Sequence, residues 1–240
     1  FPRDHGSLTS GSMASRDIQD QAILSGASAL PEGAALREFI SARLDSLHAH
    51  FAQPSFRSDL DLNPGMAAPF LAQGYTSAAV LIGLVQRPGG VSVLLTRRAD
   101  GLRRHAGQIA FPGGLSEAGE APWQTALREA CEEIGLREHQ VELAGLSTSF
   151  RLLTGYDVTP VVGFVEADFA PISDPSEVAE VFEVPFAFLM DPANHRRRLR
   201  EQPGPPRWHY AITYGEHVIW GATAAMLKAL LDRLEGPPHG

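Results

Sequence analysis

Three glutamates pose the first chemical question. Glu129, Glu132 and Glu133 lie in the segment Pro122–Ile134, whose apolar residues recur at helical spacing. At about 100° per residue, Trp123, Ala126, Leu127, Ala130, Cys131 and Ile134 share one broad side, and the glutamates share the other. Glu129 and Glu133 form an i,i+4 pair and Glu129 and Glu132 an i,i+3 pair, so all three can converge. Such convergence costs roughly 0.2–0.5 kcal/mol per pair unless a cation offsets it. Hard divalent ions want several oxygen ligands at short range, which this face offers. Glu120, just ahead of the helix, could join them. Alone, three glutamates describe a solvated acidic helix face more often than a site.

The neighbouring residues change that balance. Gly113-Gly114 lets the backbone pass close to a ligand. Arg128 can orient a carboxylate through its forked guanidinium. Pro122 suits the first turn of the helix and Gly135 its end. Together Gly114, Glu120, Arg128-Glu129, Glu132-Glu133 and Gly135-Leu136 follow the pattern G-x5-E-x7-R-E-U-x-E-E-x-G-U, with U apolar. Every fixed Gly, Glu and Arg is present, and Ala130 stands where a larger aliphatic residue is usual. This stretch resembles the signature box of the Nudix hydrolases. Just upstream, Leu94-Leu95-Thr96-Arg97-Arg98-Ala99, Arg103, Gly107, Ile109 and Phe111-Pro112-Gly113-Gly114 resemble the extra motif of the coenzyme A pyrophosphatase subgroup. Val158–Gly163, Glu177-Val178 and Ile219–Thr223 also look like that subgroup. The resemblance runs from about Tyr75 to Leu234.

The resemblance implies a Nudix-type α/β/α sandwich with a mixed sheet and a catalytic loop-helix-loop. It implies hydrolysis of a nucleoside diphosphate linked to another group, with Mg²⁺ or Mn²⁺ as cofactor. Glu129 and Glu133 would be the principal metal ligands. Glu132 would be a further ligand or would contact the attacking water. Glu120 would help hold the metal array, the Gly114 carbonyl could supply another oxygen, and Arg128 would hold a glutamate in place. The general base would be Glu132, Glu177 or Glu180. Arg98 and Arg103, with Gly113 and Gly114, would contact substrate, and the two arginines would grip the 3′-phosphate of coenzyme A. The products would be 3′,5′-ADP and 4′-phosphopantetheine. Two alternatives stand beside this one. The first is a Nudix hydrolase of ADP-ribose, a nucleotide sugar, a dinucleotide or a nucleoside triphosphate. The second is a catalytically silent nucleotide-binding module.

The elements that must carry these residues follow from pattern. Ala78–Val85 and Val91–Thr96 are apolar strands joined through Arg87–Gly90, a hairpin turn. Gln108–Phe111 is a short strand, and Pro112-Gly113-Gly114 a turn. Further strands are expected at Val141–Leu146, Val158–Val165 and Val181–Val184. A hairpin is expected over Trp208–Thr213 and His217–Trp220, and a closing helix at Ala222–Leu234. Mixed strands with two or three helices argue for an α+β or α/β sandwich. Residues 1–32 show no sustained period and are expected to be a flexible leader, partly vector-derived, with Met13 as a candidate native start. Residues 33–74 form an N-terminal helical arm: a helix over Ala34–Phe51, then a connector rich in Pro and Gly over 52–74. The catalytic domain spans 75–235 and a tail 236–240.

Composition removes other classes. The chain has 240 residues, a formal net charge of −8 and one cysteine, Cys131, so no intrachain disulfide forms. An acidic chain is a poor nonspecific nucleic-acid binder, and no run approaches the roughly 18 apolar residues of a membrane span. A nucleotide-type small molecule is therefore the expected partner, with neither nucleic acid nor membrane, in a reducing, cytoplasmic setting; a homo-oligomer is left open. The basic run His195–Arg200 is expected to be a solvated loop or helix end. Cys131 is expected to pack against the core, and His105 to lie at the surface or beside a substrate phosphate.

Overall fold

The computed structural model describes residues 30–48, 56–66, 74–101, 105–200 and 206–238. Among them the elements run α1 (Gly33–Ser41), β1 (Phe56–Ser58), β2 (Thr76–Arg87), β3 (Gly90–Arg98), β4 (Ile109–Ala110), β5 (Gly113–Leu115) and α2 (Pro122–Ile134). There follow β6 (Val141–Leu146), β7 (Ser149–Arg151), β8 (Tyr156–Val165), β9 (Val178–Pro185), α3 (Phe186–Leu189), β10 (Arg196–Arg200), β11 (Arg207–Tyr214), β12 (His217–Trp220) and α4 (Ala222–Glu235).

Strand β2 is the axis. It pairs parallel with β8 from Thr76↔Tyr156 to Val85↔Val165, and antiparallel with β3 across the Pro88-Gly89 turn. The large sheet runs β1-β7-β8-β2-β3-β4, with β6 added on β8, β9 on β3 and β5 on β2. It is therefore mixed. Strands β10, β11 and β12 form a separate three-stranded antiparallel sheet.

Alternation along the strands sorts the core into two layers. Ala79, Leu81 and Val85 of β2, with Leu94 and Val161, meet Ala126, Ala130 and Ile134 of α2. Ile82, Leu84, Val93, Leu95 and Val162 face the other way. There they meet Leu36 and Ile40 of α1, Ile212 and Ile219 of the small sheet, and Leu227, Leu230 and Leu231 of α4. The result is the expected α/β/α sandwich, with the N-terminal helix packed into the layer opposite α2. No helix of the described residues is long and apolar enough to cross a membrane.

Four expectations are corrected. The N-terminal helix ends at Ser41 rather than continuing to Phe51, because Asp45 pairs its backbone with Leu146 in both directions, at 2.9 and 2.8 Å. Arg233 of α4 holds that corner, its guanidinium 2.5 Å from the Asp45 carboxylate and bonded to the Arg43 carbonyl. The connector contains structure: β1 runs parallel to β7, and Ser58 and Asp61 cap a turn of 3₁₀ helix. Gly113 and Gly114 extend the sheet as β5 and do not turn. A Cβ at Gly113 would overlap the Ala79 carbonyl, so the strand can lie this close only without side chains. Finally, Arg196–Arg200 is an exposed edge strand rather than a loop. Its arginines give no hydrophobic alternation, and its pairing comes from β11.

Asn63 ties the N-terminal segment to the small sheet. Its amide donates to the carbonyls of Asp59 at 2.8 Å and Trp208 at 3.0 Å, and its oxygen accepts from the Trp208 N–H at 2.8 Å. Asn63→Ala leaves the Trp208 groups unpaired beside a side chain only 9% exposed. The expected loss is about 2 kcal/mol, or roughly 4–8 °C in Tm for a chain of this size. Thermal and urea unfolding measure it.

Candidate active site

Helix α2 is cut to length by its ends. Pro122 opens it, the Gln124 side chain accepts from the Ala121 N–H at 2.8 Å, and Gly135 closes it in the left-handed region at φ 71°. The buried arc of the helix runs from Glu133 through Ala126, Ala130 and Ile134 to Leu127. Cys131 falls about 100° from the centre of that arc. It is exposed, which corrects the expectation that it packs in the core.

Glu133 thus enters the interface between helix and sheet. It is 3% exposed, accepts a hydrogen bond from the Gly113 N–H at 3.1 Å and faces the Arg98 guanidinium at 3.6 Å. Burial pushes its carboxyl up to about 7; the Gly113 N–H and Arg98 work against burial, while Glu129 and Glu177 reinforce it. One turn earlier Glu129 lies against Gly114, where a Cβ would come within 2.5 Å of the carboxylate carbon. Burial raises the Glu129 pKa too, Arg128 opposes the rise, and Glu132 and Glu177 add to it.

Arg128 is the hub of the preceding loop. It donates to both Glu120 oxygens, at 2.8 and 3.1 Å, to the Leu115 carbonyl at 2.9 Å and to Glu129 at 2.8 Å, and reaches Glu132 at 3.4 Å. Glu120 also accepts from Thr125 Oγ1 at 2.8 Å and from the Glu117 N–H at 2.9 Å. These donors, Arg128 first, hold the Glu120 carboxyl down at about 2. Its oxygens are committed to strapping the loop onto the helix.

The structure therefore gathers Glu129, Glu133, Arg98, Arg128, Gly113 and Gly114, with Glu177 near enough to act on both buried glutamates and Glu120 linked through Arg128. Glu132 stands at the rim, its side chain 61% exposed. Glu180 lies elsewhere, paired with Arg97 at 3.3 Å and His217 at 3.6 Å. Exposed His105 has φ 59° and a ring nitrogen 2.8 Å from the Gln108 side-chain oxygen. Arg103 lies outside the described residues. Thr125 was not anticipated. Its signal is a hydroxyl in the first helical turn beside a loop carboxylate.

Among the described residues, no three acidic, histidine or cysteine side chains converge tightly enough to ligate an ion in this arrangement. Arg98 and Arg128 sit on the carboxylates instead. The donor set nevertheless suits a hard divalent cation. It consists of carboxylate oxygens, and two of the groups are buried side by side with a third nearby, a charge excess that a cation relieves.

A mixed α/β/α sandwich with a carboxylate-bearing loop-helix-loop over its central strand defines a hydrolase class acting on phosphate anhydrides. The NUDIX domain model matches residues 74–205, and the chain belongs to the Nudix hydrolase family. An uncharacterized Nudix hydrolase NudL of Photorhabdus laumondii is 35% identical over 166 residues, 69% of this chain and 88% of that protein. The corresponding protein of Yersinia pestis is 37% identical over 158 residues, 65% and 79% of the two chains. Among solved structures, a Nudix hydrolase from M. smegmatis, RenU, aligns with a TM-score of 0.41 at 28% identity, over 47% of this chain and 72% of that one. The chain is thus an enzyme that hydrolyses a diphosphate bond in a nucleoside diphosphate linked to another group. Its family generally uses divalent metals and takes nucleotide-type small molecules.

Glu133 makes the metal-free fold sensitive to pH in a definite direction. Its folded pKa of about 7 lies above the ordinary 4.5, so the folded chain keeps a proton that the unfolded chain has shed. Its contribution is present below about 4.5 and is lost as pH rises through about 7. In chelator, unfolding free energy should fall across that window in the wild type. Glu133→Gln, which cannot ionise, should remove this component and flatten the profile. Denaturant titrations at pH 5, 6, 7 and 8 test it.

Proposed function

We propose that the chain is a coenzyme A diphosphatase, releasing 3′,5′-ADP and 4′-phosphopantetheine from coenzyme A or its derivatives. One observation carries the proposal. The motif upstream of the box delivers Arg98 to within 3.6 Å of Glu133, so the subgroup-like stretch and the family box share one site.

In this mechanism Glu129 and Glu133 hold Mg²⁺ or Mn²⁺, with Glu132 and the Gly114 carbonyl completing the protein's oxygens. Both ions suit such a site. The bound cation neutralises the diphosphate and favours in-line attack by water. Arg98 turns from Glu133 to a diphosphate oxygen and grips it through its planar fork. Gly113 and Gly114 let the substrate approach the backbone. Arg128 keeps Glu129 in place and, through Glu120, keeps the loop closed over the helix. Glu177, facing both buried carboxylates, accepts the proton of the attacking water. Glu132 is the second choice for that proton, and Glu180 is already engaged by Arg97 and His217.

The test is a product assay with coenzyme A, dephospho-coenzyme A, ADP-ribose and a dinucleoside polyphosphate. Each is run with Mg²⁺, Mn²⁺ or chelator, and the products are identified by mass. The expected result is metal-dependent release of 3′,5′-ADP, with coenzyme A the best substrate by kcat/KM. Glu133→Gln should lower kcat by several orders of magnitude with the fold intact. Preference for another substrate would discard the coenzyme A assignment and keep the family chemistry.

Arg98 makes a separable prediction. Because it occupies Glu133 when the cation is away, Arg98→Ala should strengthen Mn²⁺ binding severalfold in the absence of substrate, measured by calorimetry. The same variant should lose kcat/KM on coenzyme A and dephospho-coenzyme A alike. Unchanged metal affinity would break the link between Arg98 and the cation position.

A further inference from the structure

The small sheet presents a basic and aromatic face that the chemistry above does not use. Register places Arg196 opposite Ala211, Arg198 opposite His209 and Ala211 opposite Trp220. Directly paired residues share a face of a sheet, and alternate residues return to it. Arg196, Arg198, Arg200, His209 and Trp220 therefore lie on one side. Ile212 and Ile219, one residue along, are fully buried in the core on the other.

This face is organised around a ring. His209 meets Trp220 edge-on at 5.6 Å between centroids, and the Arg200 guanidinium carbon lies 5.4 Å from the Trp220 centroid. Every residue of β10 is exposed, and four of its five side chains are arginines in a chain of net charge −8. Burial first, then Arg198 and Arg200, lower the His209 pKa, so His209 adds a neutral ring to the platform. The face adjoins the active-site strand. Trp220 ends β12, and three residues later Thr223 Oγ1 donates to the Ile109 carbonyl of β4 at 3.0 Å. From Ile109 the chain needs four residues to reach Gly113.

We propose that this face receives the phosphorylated nucleoside half of the substrate, its base ring against Trp220 and its 3′-phosphate between Arg196 and Arg198. The inference rests on the coenzyme A reading. It assigns reading of the 3′-phosphate to the small sheet and leaves Arg98 to the diphosphate. Arginine suits the task because its fork matches phosphate geometry, and an aromatic ring can stack any base.

A binding experiment separates this proposal from the assignment it rests on. Calorimetry with the full chain compares 3′,5′-ADP with 5′-AMP, which lacks only the 3′-phosphate. The wild type should prefer 3′,5′-ADP by about tenfold or more, the scale of charged hydrogen bonds to one phosphate. Arg198→Glu should abolish the preference, while the same charge change at Arg37, on α1, should keep it. Trp220→Leu should weaken both ligands and leave their ratio in place. In turnover, Arg198→Glu should collapse the ratio of kcat/KM between coenzyme A and dephospho-coenzyme A. If 3′,5′-ADP is preferred through Arg198 but coenzyme A is not cleaved, the face stands and the substrate assignment falls. If the wild type shows no preference, or Arg198→Glu retains it, the proposal is overturned. It is equally overturned if that variant loses binding only to RNA or anionic vesicles.

Discussion

The structure turns on one burial: the Glu133 carboxylate between α2 and the central strands. A carboxylate removed from water must find donors or a counter-ion, or else take up a proton. Here the donor is the Gly113 N–H and the counter-ion is Arg98. Each needs its own framework. The Gly113 N–H reaches the carboxylate because β5 lies along β2, and β5 fits there because it carries glycines where side chains would strike Ala79. Arg98 reaches it from the end of β3, held between β4 and β9. The sheet order around β2 is thus also the wiring of the site.

Arg128 solves a second electrostatic problem. The loop before α2 carries Glu120, and the helix presents Glu129 and Glu132. One guanidinium joins all three and also takes a backbone carbonyl. The arrangement leaves Glu120 firmly ionised and Glu133 close to neutrality at the same pH. Two glutamates of one motif therefore differ in proton affinity by environment alone, one as an anchor and one as a labile acid.

Much of this was legible in the sequence. The helix Pro122–Ile134, the β2–β3 hairpin and the β11–β12 hairpin followed from apolar period, turn residues and end signals. What escaped depended on distant partners. The N-terminal helix stopped early because Asp45 pairs with Leu146, a hundred residues away in sequence. Strand β10 was missed because a strand of arginines has no apolar alternation. Gly113-Gly114 suggested a turn locally, yet the sheet required two residues without side chains. For the site, spacing brought out Glu129, Glu132 and Glu133 as a group. It could not separate their environments, because a helical wheel shows which side a residue takes and not what lies opposite.

The contacts at Asn63 and Asp45 bear on how this enzyme can be dissected. The family model begins at residue 74, which invites trimming the chain there. Yet Leu36, Ile40 and Leu44 fill the layer opposite α2, and Asn63 satisfies both backbone groups of Trp208. A chain shortened to the family boundary would open a greasy trough over the sheet and unpin the strand that carries Trp208. The evolutionary unit and the physical unit are not the same length here. The preceding arm is cargo that the catalytic half cannot set down.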